Sequence, residues 1–240
     1  MRPSMDASTS PPVHPSIRMV SGFHELLTTP LADGVNALCW PRVLTGNFVE
    51  VVSLLGAGEG IVNLDEELLR SLPLSEDGRM AAEIMLEDQR MLRDLGLDPE
   101  LNLIHAYQRD EHPGPIAIDV LSWHADSASD ETDTWLCTYH GAPSEGVLNE
   151  QVVKKVDVPE IRAELLRLHG GADDEDFIEY LAEHCYDLHY APIPGARPYS
   201  FGVGNLWRVS TDWPGSPVLP CVHRAPQTRP GDPPRLLLIS

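Results

Sequence analysis

Thr134-Trp135-Leu136-Cys137-Thr138-Tyr139-His140 is rich in β-branched and aromatic residues and ends at a glycine turn, the pattern of a β-strand. Similar runs surround it. Leu101 to Gln108 and Ile116 to Trp123 precede it, and Val147 to Val156 follows, with Gly, Pro and acidic turns between them. Further strands are expected near Ser200 to Val209, Val218 to His223 and Arg235 to Ile239. Gly34 to Trp40 reads as an earlier buried strand that stops at Pro41.

Helices flank this strand-rich half. Gly46 to Leu55 carries Phe48, Val51, Val52 and Leu55 on one face. Glu76 to Leu95 is the clearest helix. Ser75 is its N-cap, Ala81, Ile84, Met85, Met91, Leu92 and Leu95 form its apolar stripe, and Gly96 stops it. Gly56-Ala57-Gly58-Glu59-Gly60 follows a helix rather than a strand, so it reads as a loop and not a phosphate cradle. Pro159 opens a later helix striped by Ile161, Leu165, Leu166 and Leu168. Asp174 to Cys185 forms another, with Phe177, Ile178, Leu181 and Ala182 expected inward. Helices first, then many short strands with a helical insertion, predict an α+β fold with a β-sandwich or barrel core.

The chain has 240 residues, of which 42% are hydrophobic and 22% charged, an ordinary mix for one globular domain. Lys+Arg 17 against Asp+Glu 37 gives a net charge of −20, which disfavours nucleic acid and anionic membrane as partners. No apolar run approaches the roughly 20 residues that span a bilayer. Met1 to Ser16 has no signal-like apolar core and is rich in Pro and Ser. Residues 1–18 are therefore expected to be a disordered lead-in with an inert His14, and 19–240 a single domain. Cys39, Cys137, Cys185 and Cys221 show neither zinc spacing nor a disulfide framework, so a cytoplasmic location is expected.

The chemistry concentrates at Ser122-Trp123-His124-Ala125-Asp126. On a strand, His124 and Asp126 share a face. With a distant His223 they would form the facial triad of two histidines and one carboxylate that suits Fe(II). Three protein ligands leave positions for a 2-oxo acid and dioxygen. A 2-oxoglutarate co-substrate also needs a cation for its far carboxylate, and a guanidinium suits one best. Arg235 starts the last strand and could return beside His223, while Arg224 and Arg229 compete. His184, Cys185 and His189 look ligand-rich, but a five-residue offset sets the two histidines poorly on one helix face.

Five ordered pieces carry a resemblance. They are Gly34-Val35-Asn36-Ala37-Leu38-Cys39-Trp40-Pro41-Arg42, Trp123-His124-Ala125-Asp126, Leu136-Cys137-Thr138-Tyr139-His140-Gly141-Ala142-Pro143-Ser144-Glu145, Val222-His223-Arg224-Ala225-Pro226 and Pro234-Arg235-Leu236-Leu237-Leu238. From about residue 30 onward the chain resembles the bacterial family catalogued as domain of unknown function 1826. More distantly it is similar to iron(II)/2-oxoglutarate oxygenases with a double-stranded β-helix. The resemblance implies a cupin-like jelly-roll core with N-terminal packing helices and a helical insertion at about 157–190. It also implies iron at His124, Asp126 and His223, with 2-oxoglutarate held by Arg235 and Thr138. The expected partners are dioxygen and a small-molecule substrate, in a monomer or homodimer.

One departure bears on specificity. Gly146 stands where the family pattern has tryptophan, which would open space near the metal. Trp123, Tyr139, Asn149, Trp207 and Arg208 are the candidate substrate-lining residues by strand position, Glu145 is a sixth substrate contact as an acid for an amine, and Arg197 or Arg208 would serve as the cation for an amino-acid carboxylate. The implied reaction is oxidation of an unactivated C–H bond of an amino-acid-like metabolite. The outcome would be hydroxylation or oxidative ring closure, such as cyclopropane formation on a nitro amino acid in antibiotic biosynthesis. A cupin-like protein that only holds a divalent metal would use the same residues.

Overall fold

The computed structural model describes residues 11–109, 114–229 and 231–240. The first half runs β1 (Ile17–Met19), α1 (Phe23–Thr28), β2 (Ala37–Trp40), α2 (Phe48–Leu55), β3 (Ile61–Asn63), α3 (Glu66–Ser71), α4 (Glu76–Arg93), β4 (Glu100–Ile104) and β5 (Asp133–His140). Then come β6 (Glu145–Val147), β7 (Val152–Lys154), α5 (Pro159–His169), α6 (Glu175–Glu183), β8 (Tyr190–Pro192), β9 (Tyr199–Ser200), β10 (Leu206–Ser210), β11 (Val222–Arg224) and β12 (Arg235–Ile239).

The fold is mixed α+β. A seven-stranded sheet has the order β1-β2-β10-β5-β12-β4-β3, antiparallel except for the β1–β2 pair. A second sheet has the order β11-β6-β9, and β7 pairs with β8 alone. Strand alternation explains how β5 separates two cores. Its Trp135, Cys137 and Tyr139 pack with α2 and α4, through Val51, Ala81, Met85 and Leu92. Its Leu136 points the other way, toward Tyr199, Phe201, Trp207, Cys221 and Leu237. The second cluster draws residues from both the large sheet and β9, so it lies between the sheets.

Local chemistry sets the helix ends. The Ser75 hydroxyl accepts from Gly78 N at the start of α4, and the Asp174 carboxylate accepts from Phe177 N at the start of α6. Gly96 adopts φ 81° just beyond α4, a left-handed conformation that glycine takes without strain.

Several expectations are corrected. Ile17–Met19 is paired with β2, so order begins before residue 19, and His14 is engaged by Glu150 Oε1 at 3.1 Å. The first ten residues lie outside the described residues. Ile116 to Trp123 is not a strand but a run of turns, since the Asp119 carboxylate accepts from Ser122 N at 3.0 Å and bends the chain. Val147 to Val156 is broken after Val147 by a 3-10 turn at Asn149–Gln151. Only Phe177 and Leu181 of α6 are buried. Ile178 and Ala182 face outward because α6 packs through one narrow edge. That edge meets Ile116, so the α5–α6 insertion backs the segment that leads to His124. Among the described residues no helix is long and apolar enough to cross a membrane.

Candidate metal centre

His124 and His223 meet across an antiparallel bridge. Each donates its backbone N–H to the other's carbonyl, at 3.0 and 2.9 Å. Directly opposed residues project from the same face, and the two rings lie 4.8 Å apart between centroids. Asp126 follows two residues later, so its side chain returns to that face. Its Oδ1 lies 3.7 Å from His124 Nε2, and its Oδ2 lies 3.5 Å from His223 Nε2. One donor atom from each residue falls within 4.8 Å of the other two. Bonds of about 2.1 Å to a shared ion would draw neighbouring donors to about 3–3.5 Å, a small contraction.

The surrounding hydrogen bonds suit this role. His124 Nδ1 lies 2.7 Å from the Ser122 carbonyl, and His223 Nδ1 lies 3.2 Å from the Cys221 carbonyl. A carbonyl can only accept, so Nδ1 carries the proton on each ring. The Nε2 lone pairs then face the centre, as metal-binding histidines require. Thr134 Oγ1 donates to Asp126 Oδ2 at 2.5 Å. Burial, followed by the neighbouring His223, pushes His124 down to about 4. Burial would raise the Asp126 carboxyl, but His223, His124 and the Thr134 hydroxyl outweigh it and hold it below its usual value. A neutral imidazole beside a carboxylate is a metal-ready donor set.

Arg235 lies on the β12 face that Leu237 turns toward the inter-sheet core, and only 1% of its surface is exposed. Its guanidinium donates to the Tyr107 hydroxyl, to Thr138 Oγ1 at 3.1 Å and to Ser144 Oγ at 3.0 Å. Among the described residues its Nε has no partner and it forms no ion pair. Burial depresses its basicity, with Tyr107 opposing. Among the described residues this guanidinium is held by three hydroxyls and no acid, and a buried charge so placed is costly unless an anion joins it. Thr134, on Asp126, and Thr138, on Arg235, are four residues apart on β5. They share one strand face at a spacing of roughly 13 Å along the strand.

The expected lining residues are distributed differently. Trp123 points away from His124, into a cluster with Val147, Tyr190 and Val222, and the Arg224 guanidinium lies 4.2 Å over its ring. Glu145 accepts from Arg224 on the same outer side, at 2.7 Å. Tyr139 faces the helices and donates to Asp88 Oδ2 at 2.7 Å. Asp88 is itself paired with Arg42 at 2.7 Å. Asn149 is spent on Asn36 and the Pro220 carbonyl. Arg208 pairs with Asp133 at 2.7 Å and donates to the Leu26, Leu27 and Thr29 carbonyls. Arg197 is exposed. Of the six, only Trp207 faces the inter-sheet core, stacked 4.3 Å from Phe201, whose ring lies 6.2 Å from His223.

Gly146 does not open a void. A Cβ there would stand 2.6 Å from Phe201 Cε1 and closer still to the Tyr199 ring, so these two rings fill the space. Sequence reasoning missed Tyr107, Thr134 and Ser144, and it set His189 aside on its spacing from His184. Thr134 and Thr138 share parity on a strand, which was the available signal. His189 is 5% exposed and bridges His124 from the side opposite His223, with ring centroids 6.0 Å apart. His184, by contrast, is exposed and packs 4.4 Å from Tyr180. In comparisons with known proteins, no family model, curated protein or solved structure matches the chain.

Proposed function

We infer that this chain is an iron(II)/2-oxoglutarate-dependent oxygenase with a jelly-roll core, acting on an unactivated C–H bond of a small, amino-acid-like metabolite. The observation that carries the reading is the buried guanidinium of Arg235, without an acid partner among the described residues, on the same inter-sheet side as a two-histidine, one-carboxylate cluster. For a protein that only holds a metal that charge is a cost, whereas an anionic co-substrate would neutralise it.

Strand order supports the jelly-roll reading. Take β4, the His124 segment, β5, β6, β9, β10, β11 and β12 as strands one to eight. The pairs β4–β12, His124–His223, β5–β10 and β6–β9 then join first to eighth, second to seventh, third to sixth and fourth to fifth. That nested pairing is the one a double Greek key would give. β1, β2 and β3 extend the larger sheet at its edges.

The donor set fits ferrous iron, with His124, Asp126 and His223 as ligands and free positions beside them. The chemistry such a centre supplies when bound is dioxygen activation coupled to decarboxylation of 2-oxoglutarate. The chain's own residues do the rest. Arg235, Thr138 and Ser144 hold the far carboxylate of the co-substrate. Thr134 holds Asp126 in its orientation, and the Phe201–Trp207 stack keeps the floor beneath His223 dry. Whether the product is an alcohol or a ring depends on where the substrate sits.

Anaerobic protein mixed with Fe(II) and 2-oxoglutarate tests the reading. A visible charge-transfer band that is lost in His124→Ala and in Arg235→Ala is expected. Absence of a band in the wild-type protein, together with tight zinc binding, would replace the oxygenase with a metal-holding cupin-like protein.

A further inference from the structure

The row of side chains that includes the two candidate ligand histidines does not end at them. His189 opposes His124 from the other side, with Ala125 N donating to the Leu188 carbonyl at 3.0 Å and Tyr190 N to the Trp123 carbonyl at 2.9 Å. β7 pairs with β8 in a register that sets Lys154 opposite Tyr190, and Lys155 N then donates to the His189 carbonyl at 2.8 Å. The cross-strand row therefore reads His189, His124, His223, and Lys155, the first residue of the 3-10 turn that follows β7, is tied to its end by that one backbone bond. Adjacent strands are about 4.8 Å apart, so the Lys155 backbone lies roughly 10 Å from that of His124. The flexible four-carbon stem of lysine can cover part of that span.

Lys155 is only partly exposed and forms no ion pair among the described residues. Burial lowers its basicity, and Asp119 is the acid whose charge it feels. Asp119 already accepts from Ser122 N through Oδ1. The other cations are committed or remote. Arg42, Arg208 and Arg224 hold Asp88, Asp133 and Glu145, while Arg109 and Arg197 are exposed. Lys154 lines a separate apolar cavity with Val153, Val158 and Leu219.

We propose that Lys155 binds the carboxylate of the substrate, so that the substrates are short carboxylic acids whose reacting carbon lies over His124 and Asp126. His189 is the spacer between the anchoring cation and the reacting centre. The proposal rests on the oxygenase reading for the reaction, but not for the binding.

The test uses protein loaded with nickel(II) in place of iron and saturated with 2-oxoglutarate. The common L-α-amino acids and short aliphatic acids are titrated calorimetrically, each beside its primary amide. At least one acid is expected to bind at least tenfold tighter than its amide. Lys155→Met should lose that tenfold while Lys155→Arg regains part of it, and neither should change the affinity for 2-oxoglutarate. Equal binding of acid and amide, wild-type acid affinity in Lys155→Met, or no binding by any acid would overturn the proposal. Failure of the oxygenase reading shows separately, as a missing charge-transfer band with Fe(II) in the wild-type protein.

Discussion

Replacing Arg235 with methionine should make the ligand-free protein more stable while abolishing its response to 2-oxoglutarate. The guanidinium is 1% exposed, and among the described residues its Nε is unpaired and its three partners are hydroxyls rather than acids. Desolvating an ion costs several kcal/mol, and an unsatisfied buried donor costs about 1–3 kcal/mol more. Three hydrogen bonds from a charged group recover part of this, at the low end of about 1.5–3 kcal/mol each, and the hydroxyls left behind can partly satisfy one another. Methionine keeps the apolar stem and fills the space with a flexible side chain. The net expectation is a gain of about 1–2 kcal/mol, or about 2–8 °C in melting temperature for a chain of this size. Ligand should invert the order. At a hundred times its Kd, 2-oxoglutarate would stabilise the wild-type protein by about 2.7 kcal/mol and the variant not at all. Thermal unfolding followed by circular dichroism, with and without nickel(II) and 2-oxoglutarate, measures both arms. A metal-free Arg235→Met protein less stable than wild type by more than about 1 kcal/mol would mean that the guanidinium is structural, and the argument from uncompensated charge would fall.

Thr134→Val keeps the shape of the side chain but removes the hydroxyl that donates to Asp126 Oδ2. Divalent-metal affinity, read by cobalt titration, should fall by about 10–100-fold, and an unchanged affinity would remove Thr134 from the site. The metal-free protein should lose stability in acid. His124 sits at about 4 when folded, against roughly 6.5 unfolded, so the unfolded chain binds the extra proton. Its contribution is complete above about pH 6.5 and is lost as pH falls toward 4, up to about 3 kcal/mol in all. Urea unfolding at several pH values should therefore show a shallower slope in His124→Asn than in wild type, and parallel slopes would refute the assignment. Gly146→Ala should cost about 1–3 kcal/mol by overpacking, because the new methyl meets Tyr199 and Phe201. A neutral effect on the urea midpoint would mean that the rings have room to retreat.

Elements with strong local signals were legible from the sequence. β5, α4 and β12 could be placed because β-branched density, an N-cap serine and a terminal Leu-rich run act within a few residues. His124 and Asp126 were legible as a pair because the period-two rule needs only one extended residue between them. It survived although Ile116 to Trp123 is not a strand, since His124 keeps an extended bridge of its own. The lining residues were not legible in the same way. Strand position says that Trp123 and Tyr139 are on strand-like segments, but the face depends on parity relative to a ligand. Trp123 is one residue from His124 and Tyr139 one from Thr138, so both turn outward. Parity counted from His124 and Thr138 would have excluded them. Gly146 misled for a different reason. A missing side chain is filled by whatever lies across the sheet, and Tyr199, which pairs with it, is 53 residues away in the chain.

The acidity of the chain acquires a more definite meaning once its cations are placed. With 37 acids for 17 basic residues, a buried cation will nearly always find a carboxylate. Arg42, Arg208 and Arg224 each do, with Asp88, Asp133 and Glu145. A buried or partly buried cation left without one is therefore informative in proportion to the excess of acid around it. Among the described residues Arg235 and Lys155 are the two such groups that flank the histidine and aspartate cluster, one from β12 and one from the turn after β7. An anionic co-substrate and an anionic substrate would each neutralise one of them. Neither could be attracted by the exterior, whose net charge repels anions. Association should then be slow at low ionic strength and faster as salt screens that repulsion, the reverse of an electrostatically steered enzyme. A rise in the 2-oxoglutarate association rate between 20 and 200 mM salt, measured by stopped flow, is the expected sign. A fall would place the attracting charge on the surface and not at Arg235.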